Sequence, residues 1–170
     1  MSEPSITFGP RANQAVVSVH TVSVLTDILR AASLASCQIT STSRTPADQA
    51  RIMFNNITKH GVAHQLGLYK PPGQSVVREF ERAKTAGKDR PGIIAAMEAK
   101  IREVGPDKVS RHCADPAKLN VVDIAPSSVA SANRFQQAVN AAVQQGKVSK
   151  FLTPANNDPA FHLEIPQPAQ

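Results

Sequence analysis

Three side chains far apart in the chain are of the types that hold a hydrolytic metal. They are His112 in Val-Ser-Arg-His-Cys, Asp123 in Val-Val-Asp-Ile-Ala and His162 in Phe-His-Leu-Glu-Ile. Two imidazoles and a carboxylate are the usual protein ligands of a catalytic zinc, which keeps its fourth position open for water. Asp123 is the most informative of the three, because aspartate is rarely buried unless it is paired or bound to a metal. On a half-exposed strand, alternation alone would turn Asp123 outward with Val121 while Val122 and Ile124 face the core. His162 poses the same choice, with Phe161, Leu163 and Ile165 on one face and His162 and Glu164 on the other. Both segments carry a ligand-type residue at their centre, so pairing the two strands would bring Asp123 and His162 together on one face.

Other groups of this kind offer less. His60 and His64 are four apart, which on a helix puts them on one side, but Gly61 lies between them and no Glu occupies the zincin position. Cys113 neighbours His112, yet adjacent residues of a strand point to opposite faces, which argues against its being a ligand. Cys37 and Cys113 read either as two isolated thiols or as one bridge between neighbouring strands; two cysteines are not a disulfide framework.

The elements that must position these residues follow from periodicity and punctuation. Residues 1–13, with Pro4, Gly9 and Pro10, read as an N-terminal arm. Apolar spacing predicts a helix over 14–34, although the valines at its start are poor helix residues. Residues 37–43 read as a strand. Thr45-Pro46 starts a helix that runs to about residue 58, since Thr caps well and Pro loses nothing at the first helical position. Gly61 ends it. Pro71-Pro72-Gly73 reads as a breaker, followed by helices over 74–86 and 93–104. Residues 109–112 and 121–125 read as strands. Ser127 or Ser128 caps a helix that runs to about residue 145, and strands follow at 148–152 and 160–165. The expected fold class is α+β: a small, mainly antiparallel sheet carrying the site, flanked by helices, with a helical insertion at about 60–106. Residues 14–166 are expected to form one domain.

Composition narrows the function classes. The chain has 170 residues, 41% of them hydrophobic, with no Trp and one Tyr, so a core must be built from aliphatic side chains. No apolar run reaches the roughly 18 residues of a membrane span. The N-terminus lacks the basic start and apolar centre of a signal peptide. Nineteen Lys and Arg against thirteen Asp and Glu give a net charge of +6, which favours anionic partners such as nucleic acid, a membrane surface or a bacterial wall polymer. The basic residues are scattered and carry no RNP-like or finger-like motif. Nucleic acid is therefore not the expected partner.

Taken in order, four segments resemble the zinc D-Ala-D-Ala-type peptidases, which share a core with hedgehog signalling domains and lysostaphin-like endopeptidases. They are Ser41-Thr-Ser-Arg44-Thr45-Pro46-Ala-Asp-Gln49, Ser110-Arg-His112, Val121-Val-Asp123-Ile and Phe161-His162-Leu-Glu164. The resemblance implies that His112, Asp123 and His162 bind Zn2+ and that Arg44 stabilises the developing oxyanion. It implies a peptidoglycan peptide as substrate, cut by a D,D- or L,D-carboxypeptidase or an endopeptidase. Such an enzyme would be made in the cytoplasm and reach the wall on lysis, as an endolysin does, or through a specialised secretion system. A monomer without a membrane span is expected. The chain departs from the pattern at two points. Ten residues separate His112 from Asp123 and none of them is Gly, which makes Asp115 a rival ligand. The family's catalytic Glu, three residues before the last His, is replaced by Pro159. Asp158 or Glu164 is then the general base, Asp158 being slightly favoured, or Glu164 orients a ligand. A non-catalytic, zinc-stabilised wall-binding or structural module is the alternative.

Overall fold

The computed structural model describes residues 2–170. In chain order the elements are β1 (Ser5–Phe8), α1 (Val19–Ala31), β2 (Ser36–Ser41), α2 (Pro46–His60), α3 (Val62–Leu68), α4 (Pro71–Thr85), α5 (Arg90–Val104), α6 (Pro106–Val109), β3 (Leu119–Ile124), α7 (Ala132–Gln144), β4 (Lys150–Leu152) and β5 (Phe161–Pro166). The fold is α+β, as expected, but the chain forms two compact units. One comprises the chain up to Ser43 and from Asp115 onward, the other Arg44–Ala114.

The first unit is built on a five-stranded sheet in the order β1-β2-β3-β5-β4. β1 runs parallel to β2 and the other three pairings are antiparallel. Residues 5–8, expected within a loose arm, are thus an edge strand. Alternation sorts the side chains of β3 and β5. Val122, Ile124, Phe161, Leu163 and Ile165 join Val24, Leu25, Ile28 and Leu29 of α1 and Phe135 and Val139 of α7 in one buried core. The other face of the same strands carries Asp123, His162 and Glu164. Burial of a large apolar side chain contributes about 1.5–3 kcal/mol, and this cluster is the main support of the sheet.

Local chemistry corrects several boundaries. α1 begins at Val19 and not at residue 14, because the Ser18 side chain accepts the Thr21 N–H and caps it there. Val16 and Val17, stiff at χ1, stay outside in a single 3-10 turn and an extended residue. Ser131, not Ser127 or Ser128, caps α7. Asn120 at the start of β3 accepts from the Ser18 N–H and the Thr21 hydroxyl, which ties the beginning of α1 to the sheet. Phe135 is fully buried with its ring centroid 5.1 Å from that of Phe161. Phe135→Ala is expected to destabilise the protein by about 3–5 kcal/mol through lost burial and the cavity left behind. Urea unfolding followed by circular dichroism measures this. A loss below about 1 kcal/mol would show that the core collapses around the gap.

The second unit is helical. Ala50, Met53 and Ile57 of α2, Val76, Val77, Phe80 and Ala83 of α4, and Ile93, Met97 and Ile101 of α5 form its core. The insertion expected at 60–106 therefore takes in α2 as well, because the inward face of α2 belongs to this core. Thr45 caps α2 by accepting the Asp48 N–H, as its position before Pro46 predicts. Gly61 ends α2 with a φ of 90°, where a side chain would be strained. Pro71 and Pro72 do not break structure; they are the first residues of α4, where a missing N–H loses no bond. Gly73 has no room for a Cβ, which would meet the Tyr69 ring at 2.4 Å. Residues 109–112, expected as a strand, close α6 and enter a 3-10 turn over Arg111–Cys113 instead. Gly105-Pro106 ends one helix and immediately starts another short one, which leaves no extended backbone for a strand.

Candidate metal centre

Asp123 and His162 are directly opposite each other in the antiparallel pairing of β3 and β5. Their side chains share a face, as the central position of each in its strand implied. His162 Nδ1 is 2.9 Å from Asp123 Oδ1, and His162 Nε2 is 3.3 Å from Glu164 Oε1. The imidazole thus lies between two carboxylates on the same sheet face. Burial alone would disfavour the imidazolium. The hydrogen bond and charge of Asp123, with Glu164 and Asp158 behind them, outweigh that and raise the His162 pKa above its usual value. Glu164 is buried, with a side chain only 5% exposed. Asp158 is half-buried in the preceding loop, where its carboxylate accepts the Ala160 N–H.

The neighbouring strand has an irregularity at this point. Ile39 pairs with Ile124, but Ser41 pairs with Asp123, so Thr40 is an extra residue in β2. A bulge of this kind bends its strand and re-aims side chains, and bulges are common beside active sites. The Thr40 hydroxyl lies 3.4 Å from the Asp123 carbonyl oxygen. The sequence carries no signal for this bulge beyond the Ser/Thr-rich run 40–43.

His112 is positioned by different means. The 3-10 turn after α6 buries it, and its carbonyl accepts the Arg44 N–H at 2.6 Å. Arg44 immediately precedes the Thr45 cap. Its guanidinium Nη1 donates to Gln49 Oε1 at 3.2 Å, and Gln49 is 1% exposed on the inner face of α2. Burial pushes the Tyr69 phenol up, while the Arg44 charge and a hydrogen bond with Gln49 pull it back. Tyr69 was not anticipated as part of this polar group. Its being the chain's one tyrosine, downstream of Arg-Thr-Pro-x-x-Gln, is the nearest thing to a signal. Both cysteines are free. Burial raises the Cys113 thiol to about 11 and the Cys37 thiol to about 12, so neither is a thiolate at neutral pH.

One ligating atom from each of His112, Asp123 and His162 lies within 4.8 Å of the others, and two of the three residues are buried. This is the donor set expected from the sequence, and it can hold a metal ion. Two imidazole nitrogens and a carboxylate oxygen suit zinc and similar divalent ions, whose bonds to such donors are about 2.0–2.2 Å. Asp115, the rival ligand, is exposed and outside this group. Its carboxylate accepts the Ala117 N–H and its carbonyl accepts from Lys118 and Leu119, so it turns the chain into β3. His60 and His64 are exposed, with ring centroids 5.3 Å apart, and belong to no group of three or more donors among the described residues. No helix among the described residues is long and apolar enough to cross a membrane. Comparison with known proteins adds no relative: no family model, curated protein or solved structure matches the chain.

Proposed function

We propose that the protein is a zinc-dependent peptidase that hydrolyses peptide bonds of bacterial peptidoglycan, as a D,D- or L,D-carboxypeptidase or an endopeptidase. One observation carries the reading: a donor atom from each of His112, Asp123 and His162 lies within 4.8 Å of the others, and a zinc held by three such ligands would keep a fourth position for water. Zinc bound there would lower the pKa of its water towards about 7 and polarise the scissile carbonyl. The chain supplies the remaining functions. Arg44, with its planar fork held by Gln49, donates to the carbonyl oxygen as negative charge develops on it. Asp158, the slightly favoured of the two candidate acids, accepts the proton of the attacking water and returns it to the leaving amine. The choice of substrate rests on the order of the four peptidase-like segments and on the net charge of +6, which suits anionic wall polymers. A cytoplasmic protein of this kind would reach the wall on lysis or through a specialised secretion system, and would act as a monomer.

Purified sacculi incubated with the zinc-loaded protein test this directly. New peptide termini, identified by mass spectrometry and abolished by a chelator, are expected. Pro159 at the family's catalytic acid position favours a second reading, a zinc-stabilised module that binds the wall without cutting it. Retention on sacculi with full zinc occupancy and no new termini would replace the peptidase with that module.

A further inference from the structure

We infer that Glu164 is the positioning residue of this centre: it holds the proton of His162 on Nε2, so that Nδ1 presents its lone pair to the metal. The inference deepens the metal-centre reading above and rests on it. A neutral imidazole carries one proton, and when a metal takes one ring nitrogen the proton is held on the other by the acceptor that faces it. Asp123 faces Nδ1 at 2.9 Å and belongs to the three-donor group with His112. Glu164 faces Nε2 at 3.3 Å and lies outside that group. A metal held by Asp123 and His162 would take the nitrogen that faces Asp123, Nδ1, and would leave Nε2–H to donate to the Glu164 carboxylate. Backbone geometry makes this arrangement rigid. Glu164 is two residues from His162 on β5, so both project from the same face. β5 is paired on both sides at this position, with Val121 of β3 and Lys150 of β4 opposite Glu164. The carboxylate is buried, so little water competes for Nε2–H. A carboxylate that accepts from a metal-bound imidazole fixes its tautomer and raises its basicity, and losing such a partner commonly weakens metal binding about 10–100-fold.

Zinc affinity, measured by competition with a chromophoric chelator, tests this without reference to hydrolysis. Wild type, Glu164→Gln, Glu164→Ala and His112→Ala are compared. Glu164→Ala is expected to bind zinc about 10–100-fold more weakly. Glu164→Gln, which keeps a neutral acceptor of the same shape and safeguards the fold, should fall between Ala and wild type. Long-range 1H–15N spectra of the zinc-loaded wild type should show His162 metallated at Nδ1 and protonated at Nε2. Glu164 variants that bind zinc within about twofold of wild type, while His112→Ala loses it, would overturn the positioning role and leave the centre standing. A His162 metallated at Nε2 would also overturn it. A wild type that binds zinc no better than His112→Ala would remove the centre itself, and the inference with it.

Discussion

His162→Ala is expected to purify without bound zinc and to release peptides from sacculi at least about a hundredfold more slowly than wild type. Loss of an outer-shell partner already weakens a zinc site about 10–100-fold, so removal of one of three direct ligands must do more. The variant also leaves Asp123 and Glu164 on one sheet face without the imidazole between them. Removing the imidazole takes one hydrogen-bonding partner from each carboxylate, so some loss of stability should accompany the loss of metal. His112→Ala separates the two effects. His112 sits in the 3-10 turn after α6, and its backbone carbonyl accepts the Arg44 N–H, a bond the substitution leaves in place. It should lose zinc and hydrolysis with a thermal midpoint closer to that of chelator-treated wild type. Zinc per chain by atomic emission, thermal melts and sacculus digestion give the three readouts. Full hydrolysis by His162→Ala would sink the site assignment, whatever its zinc content.

The cluster of three donors was legible in the sequence, and the reason is physical. Asp123 and His162 each interrupt an apolar strand, and an ionisable group there needs a partner. The exact opposition of the two residues follows from register, which the hydrophobic alternation of β3 and β5 specifies strongly, because a one-residue slip would turn the core face to the other side. His112 falls in the donor cluster as expected, but on a 3-10 turn where the sequence reads as a strand. A Val-Ser-Arg-His run looks extended, and nothing local reveals that Gly105-Pro106 starts a new helical turn just before it. The helix starts at Pro46 and the stop at Gly61 were readable because caps are local chemistry. The starts at Val19 and Ala132 were not, because each competes with a plausible serine or an apolar run a few residues upstream. Least visible was the division into two units. Whether the inward face of α2 packs on the sheet or on α4 and α5 depends on shape complementarity between distant segments, which periodicity does not encode.

Arg44→Ala is expected to lower kcat about 10²–10³-fold while leaving zinc occupancy unchanged. The argument rests on which atoms of Arg44 do what. Its backbone N–H holds the His112 carbonyl at 2.6 Å, and this bond survives any substitution except proline. The ligand turn should therefore keep its place when the side chain is removed. The guanidinium, by contrast, is anchored through Nη1 to a buried Gln49 that is itself fixed on α2, so it is a preorganised donor. Preorganised donors matter most where charge develops in the transition state, and removal of one such donor costs about 2.7–4 kcal/mol of transition-state stabilisation with little effect on ground-state binding. The loss should thus appear in kcat and not in KM. Arg44→Lys keeps the charge but not the planar fork that Gln49 orients, so it should recover only part of the rate. Gln49→Ala should resemble a mild Arg44 variant, since it removes one partner that orients the guanidinium without deleting the charge. Steady-state kinetics on a defined wall peptide, with zinc stoichiometry measured on the same samples, decide the matter. An Arg44→Ala enzyme with wild-type kcat would remove Arg44 from the chemistry. One that loses zinc would show instead that its side chain supports the metal ligands.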